Sequence, residues 1–188
     1  QSENGVVIFK GCAPCVGRGL HSQWRLFSMT SDATDRKYIY SCSSNFCNPI
    51  LSPDGSTFIM TTNHWDFDLF EIDGTHRREI IDIPDGQVVT GASWSPSGSH
   101  IAYWSSSHPG GEWDVFITDP NGHENRQLTD MDSPGWGSLI WASDETQIAF
   151  GNAGQWSDKY YMVEKTASQV LPENLEEIDQ RTYESLLG

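Results

Sequence analysis

Lysine is scarce in this chain, and bases as a whole are outnumbered. Eleven Lys and Arg face 26 Asp and Glu, a net charge of -15 at neutral pH, with a pI near 4.5. A surface this acidic repels phosphate backbones, which makes nucleic acid and anionic membranes poor partners, and no nucleic-acid partner is expected. It favours cations, basic proteins or neutral sugars. Long apolar runs are also absent. No stretch nears the roughly 18 residues of a membrane helix, so no membrane span is expected. No secretory signal opens the chain, although Gln1 suits the position left after one is removed. Missing too are a Gly-x-Ser-x-Gly elbow, a Walker loop, a dinucleotide fingerprint and a His-Glu-x-x-His pair. No nucleophile stands beside a base at readable spacing, which turns the expectation away from catalysis.

Cysteine is sparse, with four residues in two close pairs, Cys12 with Cys15 and Cys42 with Cys47. Two disulfides in a secreted protein, or one four-thiolate zinc site, are the competing readings, and disulfides are the expectation. Together with the shortage of lysine and the wealth of tryptophan, they point to an extracellular or periplasmic setting.

What the chain does have is a repeat. Trp24-Arg25-Leu26-Phe27, Trp65-Asp66-Phe67-Asp68-Leu69-Phe70, Trp113-Asp114-Val115-Phe116 and, more loosely, Trp156-Ser157-Asp158-Lys159-Tyr160-Tyr161 each place a tryptophan before an alternating strand. The aromatic anchors Phe27, Phe70, Phe116 and Tyr161 lie 43, 46 and 45 residues apart. A period of this size in a strand-rich chain marks an array of small antiparallel sheets, the pattern of a β-propeller. Turn chemistry separates the strands. Ser52-Pro53-Asp54-Gly55 and Ser95-Pro96-Ser97-Gly98 supply a preset φ followed by a residue that tolerates positive φ. Ala142-Ser143-Asp144-Glu145 occupies the same place in degenerate form.

The expected fold is therefore all-β, with four four-stranded antiparallel blades over 1–171, at about 1–42, 43–86, 87–137 and 138–171. The first blade lacks its innermost strand in sequence order, because Ser2-Glu3-Asn4-Gly5 aligns with the turn that follows that strand elsewhere. The fourth is expected to end in a strand at Ser168 to Leu171. Residues 172–188 form a tail that reads either as a closing strand through Tyr183, Leu186 and Leu187 or as a helix with Pro172 in its first turn. An unfilled inner edge exposes backbone donors and acceptors and invites another strand.

The set Ser93-Trp94-Ser95-Pro96, Ile101-Ala102-Tyr103, Asp114-Val115-Phe116-Ile117-Thr118-Asp119 and Arg126-Gln127-Leu128-Thr129 resembles the TolB-type β-propeller repeat. The resemblance is strong over 45–130, moderate over 138–171 and weak over 1–42. It implies four-stranded blades around an axis, and partner binding more than chemistry. Propellers of that type usually have six or more blades, so the resemblance leaves open a four-bladed ring or part of a larger assembly.

The repeated tryptophans suit packing between blades, whereas Trp136 and Trp104, outside the repeat, are candidates for stacking on a sugar. Strand alternation sends the loops that hold all four cysteines to one face. On it also lie His21, His64 and His108, with Asp66, Asp114 and Asp158 near. Imidazole and carboxylate together suit a divalent metal, but their offsets from the tryptophans differ and define no shared geometry. The Asp-Gly turns lack the roughly 12-residue pattern of a calcium loop. No cofactor is expected; calcium or zinc is the only ion the residues suggest. The leading expectation is a non-enzymatic module for protein–protein assembly, with an oligomer or filament of copies donating strands as one form of it and Tyr183, Leu186 and Leu187 as contacts. A carbohydrate-binding or carbohydrate-degrading module is the alternative.

Overall fold

The computed structural model describes residues 6–12, 24–32, 34–42, 48–61, 67–75, 78–80, 87–108, 111–131, 137–151 and 159–186. Strands dominate them and form four antiparallel sheets. The first holds β1 (Val6–Cys12), β2 (Trp24–Thr30) and β3 (Lys37–Cys42) in that order. The second holds β4 (Ile50–Leu51), β5 (Thr57–Thr61), β6 (Phe67–Glu71) and β7 (Arg78–Glu79). The third holds β8 (Val88–Trp94), β9 (Ile101–Ser106), β10 (Trp113–Thr118) and β11 (Arg126–Gln127). The fourth runs β12 (Leu139–Trp141), β13 (Gln147–Gly151), β14 (Tyr160–Glu164) and β15 (Glu176–Ile178). The chain divides into two compact units, 1–81 and 82–188.

The repeated turns work as their residues dictate. Ser52, Ser95 and Ala142 each donate a backbone N–H across the turn, to Thr57, His100 and Gln147 at 3.0, 2.9 and 2.9 Å. Gly55 and Gly98 carry the positive φ, 68° and 74°. In the degenerate turn Glu145 takes their place at φ 59°. A side chain there costs roughly 1–2 kcal/mol. Glu145 offsets it by accepting from Ser97, through the backbone N–H and, at 2.9 Å, through the hydroxyl.

In the first unit the packed face joins Leu26, Phe58, Met60 and Phe70, with Ile8, Ile39, Tyr40 and Leu51 at its margin. Phe58 stacks on Phe70 at 5.0 Å, and Tyr40 meets the Phe70 ring edge-on at 6.0 Å. Gly74 sits under Ile39 at φ 83°, where a Cβ would come within 2.7 Å of the isoleucine. In the second unit a larger core joins Trp104, Trp113, Val115 and Ile117 of the third sheet to Leu139, Trp141, Ile148 and Phe150 of the fourth. Two indoles lock it: Trp104 Nε1 donates to the Gly137 carbonyl at 2.8 Å, and Trp141 Nε1 to Ser93 at 3.1 Å.

The tail corrects one expectation and resolves another. Residues 168–171 are not the outer strand of the fourth sheet. They lie along the third sheet instead, where Val170 N–H donates to Leu128 O at 2.9 Å and Asp130 N–H to Val170 O at 3.0 Å. The bridge between Thr129 and Val170 is parallel. The cause is the short β11, which leaves backbone groups on that rim for a passing segment to satisfy. The Arg126 guanidinium holds the segment by donating to the carbonyls of Lys165 and Ala167. The outer place in the fourth sheet then falls to β15, three residues paired to β14. A short helix α1 (Gln180–Ser185) follows, with the Asp179 carboxylate capping Thr182 N–H at 2.7 Å. The tail is thus both strand and helix, and its strand completes the sheet it follows rather than pairing with β1.

Candidate functional site

Two places stand out. The first is the edge of the first sheet. Among the described residues β1 pairs only with β2, over all seven of its residues from Val6↔Thr30 to Cys12↔Trp24. Its counterparts β5, β9 and β13 each have a strand on both sides. The second is a cleft of about 170 Å³ on the third sheet, lined by Ser105, Asp114, Glu112, Phe116, Gln87 and Gln127 among others.

Strand alternation builds the cleft. On β10, Trp113, Val115 and Ile117 turn into the core, so Asp114 and Phe116 face the other way. The register sets Ser105 opposite Asp114, and Phe116 opposite both Tyr103 and Gln127. Tyr103 and Phe116 stack at 5.6 Å, and the Tyr103 hydroxyl donates to Asn125 Oδ1 at 2.5 Å. Asp114 accepts from Met131 N–H at 2.6 Å and from Thr129 Oγ1 at 3.1 Å. Burial pushes its carboxyl up to about 6, against those two bonds and with help from the charges of Asp130 and Glu112.

The predicted residues fare unevenly. Trp104 is fully buried, with its indole bonded to Gly137 and its ring against Phe150 at 5.4 Å, so it offers no face to a ligand. Trp113 is buried in the core between the third and fourth sheets, the packing expected of the repeated tryptophans. Trp136, His21, His64, Asp66, Asp158, Cys15, Cys47 and Leu187 lie outside the described residues. His108 is exposed, its Nδ1 3.0 Å from Ser107 Oγ. Among the described residues no three His, Cys, Asp or Glu side chains group as a metal cage. Cys12 and Cys42 each pair with Trp24, which puts their backbones two strand spacings apart, roughly 9–10 Å. The side chains of all four cysteines lie outside the described residues. Tyr183 is only 8% exposed: it donates to Ser138 O at 3.1 Å and lies 4.3 Å from the Tyr160 ring. Leu186 packs against the same cluster as Ile140 and Ala149. Both assembly candidates are therefore engaged within their own unit.

Sequence reasoning missed Ser105, Glu112, Gln87 and Gln127. Three consecutive serines, Ser105-Ser106-Ser107, read as a polar loop, yet β9 runs through Ser106 and buries the first two. The alternation of Trp113-Asp114-Val115-Phe116 did carry the signal that Asp114 leaves the core.

No protein-family model matches the chain. No curated protein matches it either. Solved structures do. An oligogalacturonate lyase in complex with manganese superposes with a TM-score of 0.67 at 20% identity, over 87% of this chain and 50% of that one. TolB from Acinetobacter baumannii gives 0.60 at 13%, over 88% and 42%. A nidogen/laminin complex gives 0.59 at 15%, over 96% and 70%. The four sheets and these likenesses define the class: the chain has a β-propeller fold. It is the fold of the TolB propellers, which the repeated Ser-Pro turns and Asp-Val-Phe-Ile strand already resembled. The chain spans about half the length of the lyase and TolB chains it matches.

Proposed function

We propose that this chain is a non-enzymatic propeller module for protein–protein assembly, working outside the cell or in the periplasm. One observation carries it: β1 has a strand on one side only among the described residues, and the tail, one candidate for the other side, is spent on the fourth sheet. An extended segment of a partner would complete the first sheet to four strands, with main-chain hydrogen bonds supplying the affinity. The likeness to TolB and to a nidogen/laminin complex supports a setting and a role of this kind. A second copy of the chain is one candidate donor.

Hydrogen exchange on the isolated chain tests this. Alternate amides between Val7 and Gly11 should exchange quickly and gain protection when a peptide copying Val88–Trp94, the first strand of the third sheet, is added. Uniform protection of β1, equal to that of β5 and without any peptide, would show the edge already filled and the reading wrong. Light scattering across concentration separates a partner segment from self-pairing.

The carbohydrate reading draws on the likeness to oligogalacturonate lyases and on Trp136. A net charge of -15 opposes a polyanionic sugar, so a neutral glycan suits this chain better. Glycan binding that disappears in Trp136→Ala would favour it.

A further inference from the structure

The cleft on the third sheet holds negative charge that none of the described residues lining it answers. Both hydrogen bonds to Asp114 end on Oδ1, and Oδ2 has no partner among the described residues. Ser105, directly across the ladder, is 5% exposed and lines the cleft, yet its hydroxyl has no hydrogen bond among the described residues. The hydroxyl opens onto the cleft, where it can donate to or accept from a ligand. Glu112 adds a second carboxylate to the lining, and Asp130 raises the local negative potential. The one arginine of β11, Arg126, is committed to the carbonyls of Lys165 and Ala167.

We infer that this cleft binds an organic cation, a guanidinium or ammonium group, between Asp114 Oδ2, Ser105 and Glu112, with Phe116 beside it. Three features select that chemistry. Among the described residues the carboxylates do not group with a third His, Cys, Asp or Glu side chain as a metal cage. The Gln87 amide supplies a further acceptor, and Gln127 Oε1, which accepts from Gln169 Nε2 at 3.4 Å, keeps a second lone pair. An aromatic ring stabilises a cation near its face. A neutral sugar would leave the carboxylates without a counter-charge, and an anion would be repelled. The site is separate from the β1 edge, and its test does not depend on that edge.

Titration of the whole chain with N-acetyl-argininamide, followed by amide shifts in β9 and β10, is the test. Shifts should saturate and centre on Ser105 and Asp114. The neutral isostere N-acetyl-citrullinamide should bind at least about tenfold more weakly. Asp114→Asn should weaken the arginine probe about tenfold or more, in keeping with loss of a charge-assisted bond. Glu112→Gln, an exposed position, should weaken it about threefold with the fold untouched. An arginine-containing pentapeptide that binds tighter than the single residue identifies a partner's side chain as the source; equal affinity identifies a small free cation, and either outcome supports the site. Equal binding of the citrulline compound, shifts at these residues with calcium chloride alone, or no shift at millimolar probe would overturn it.

Discussion

The two halves of the chain are built from the same repeat and end up differently finished. In the second, every sheet has four strands, two indole–carbonyl bonds join the third sheet to the fourth, and a passing segment is clamped by Arg126. In the first, one sheet has three strands among the described residues, and one of its faces is a row of aromatic rings. Phe9 stacks on Phe27 at 5.4 Å, Tyr38 is 56% exposed, and the Arg36 guanidinium lies 3.9 Å from the Phe27 ring centroid. A repeat therefore specifies the interior of each blade but not its completion. Completion depends on whichever segment reaches an unsatisfied edge.

The contrast can be broken most forcefully at the tail. Deleting residues 172–188 removes β15 and α1 and should abolish the cooperative transition of the second half in urea. Tyr183→Ala alone should cost about 3 kcal/mol. An unchanged midpoint on truncation would mean that the second half owes nothing to its tail. Next in size, Trp104→Ala should cost about 4 kcal/mol, through the cavity and the lost bond to Gly137. Denaturation followed by probes in each half should show that loss in the second half first.

Asp114 gives a smaller effect with a sign of its own. Its carboxyl is pushed up to about 6 from an ordinary 3.8, so the folded form holds the proton more tightly than the unfolded chain does. Its contribution is then most favourable below about pH 4 and is lost as pH rises through 6. Asp114→Asn should raise stability at pH 8 by about 1 kcal/mol, discounted for partial exposure, and by almost nothing at pH 4. A gain in stability paired with loss of cation binding would mark a group kept for binding at the expense of the fold. Arg36→Ala in the first half should cost least, about 0.5–1 kcal/mol by melting temperature.

Much of this was legible beforehand because it is local. The Ser-Pro turns and the spacing of Phe27, Phe70, Phe116 and Tyr161 placed the third strand of each blade, and all four anchors lie in β2, β6, β10 and β14. That β1 has no inner neighbour among the described residues followed from aligning Ser2-Glu3-Asn4-Gly5 with the turns of the other blades. Trp104 misled because β9 is buried along its whole length, so alternation could not tell an inward from an outward residue. The path of residues 165–178 was illegible for a different reason. Its partners, Leu128 and Tyr160, are fixed by edges left open elsewhere in the fold, and no short window of sequence records that.

The clamp on residues 165–170 also orders events during translation. The rim beyond β11 and the outer place beside β14 both wait for residues that lie well downstream of them in the chain. On the ribosome the second half must therefore stay unfinished at two edges until residues 165–178 emerge, while β4 to β7 can already be fully paired.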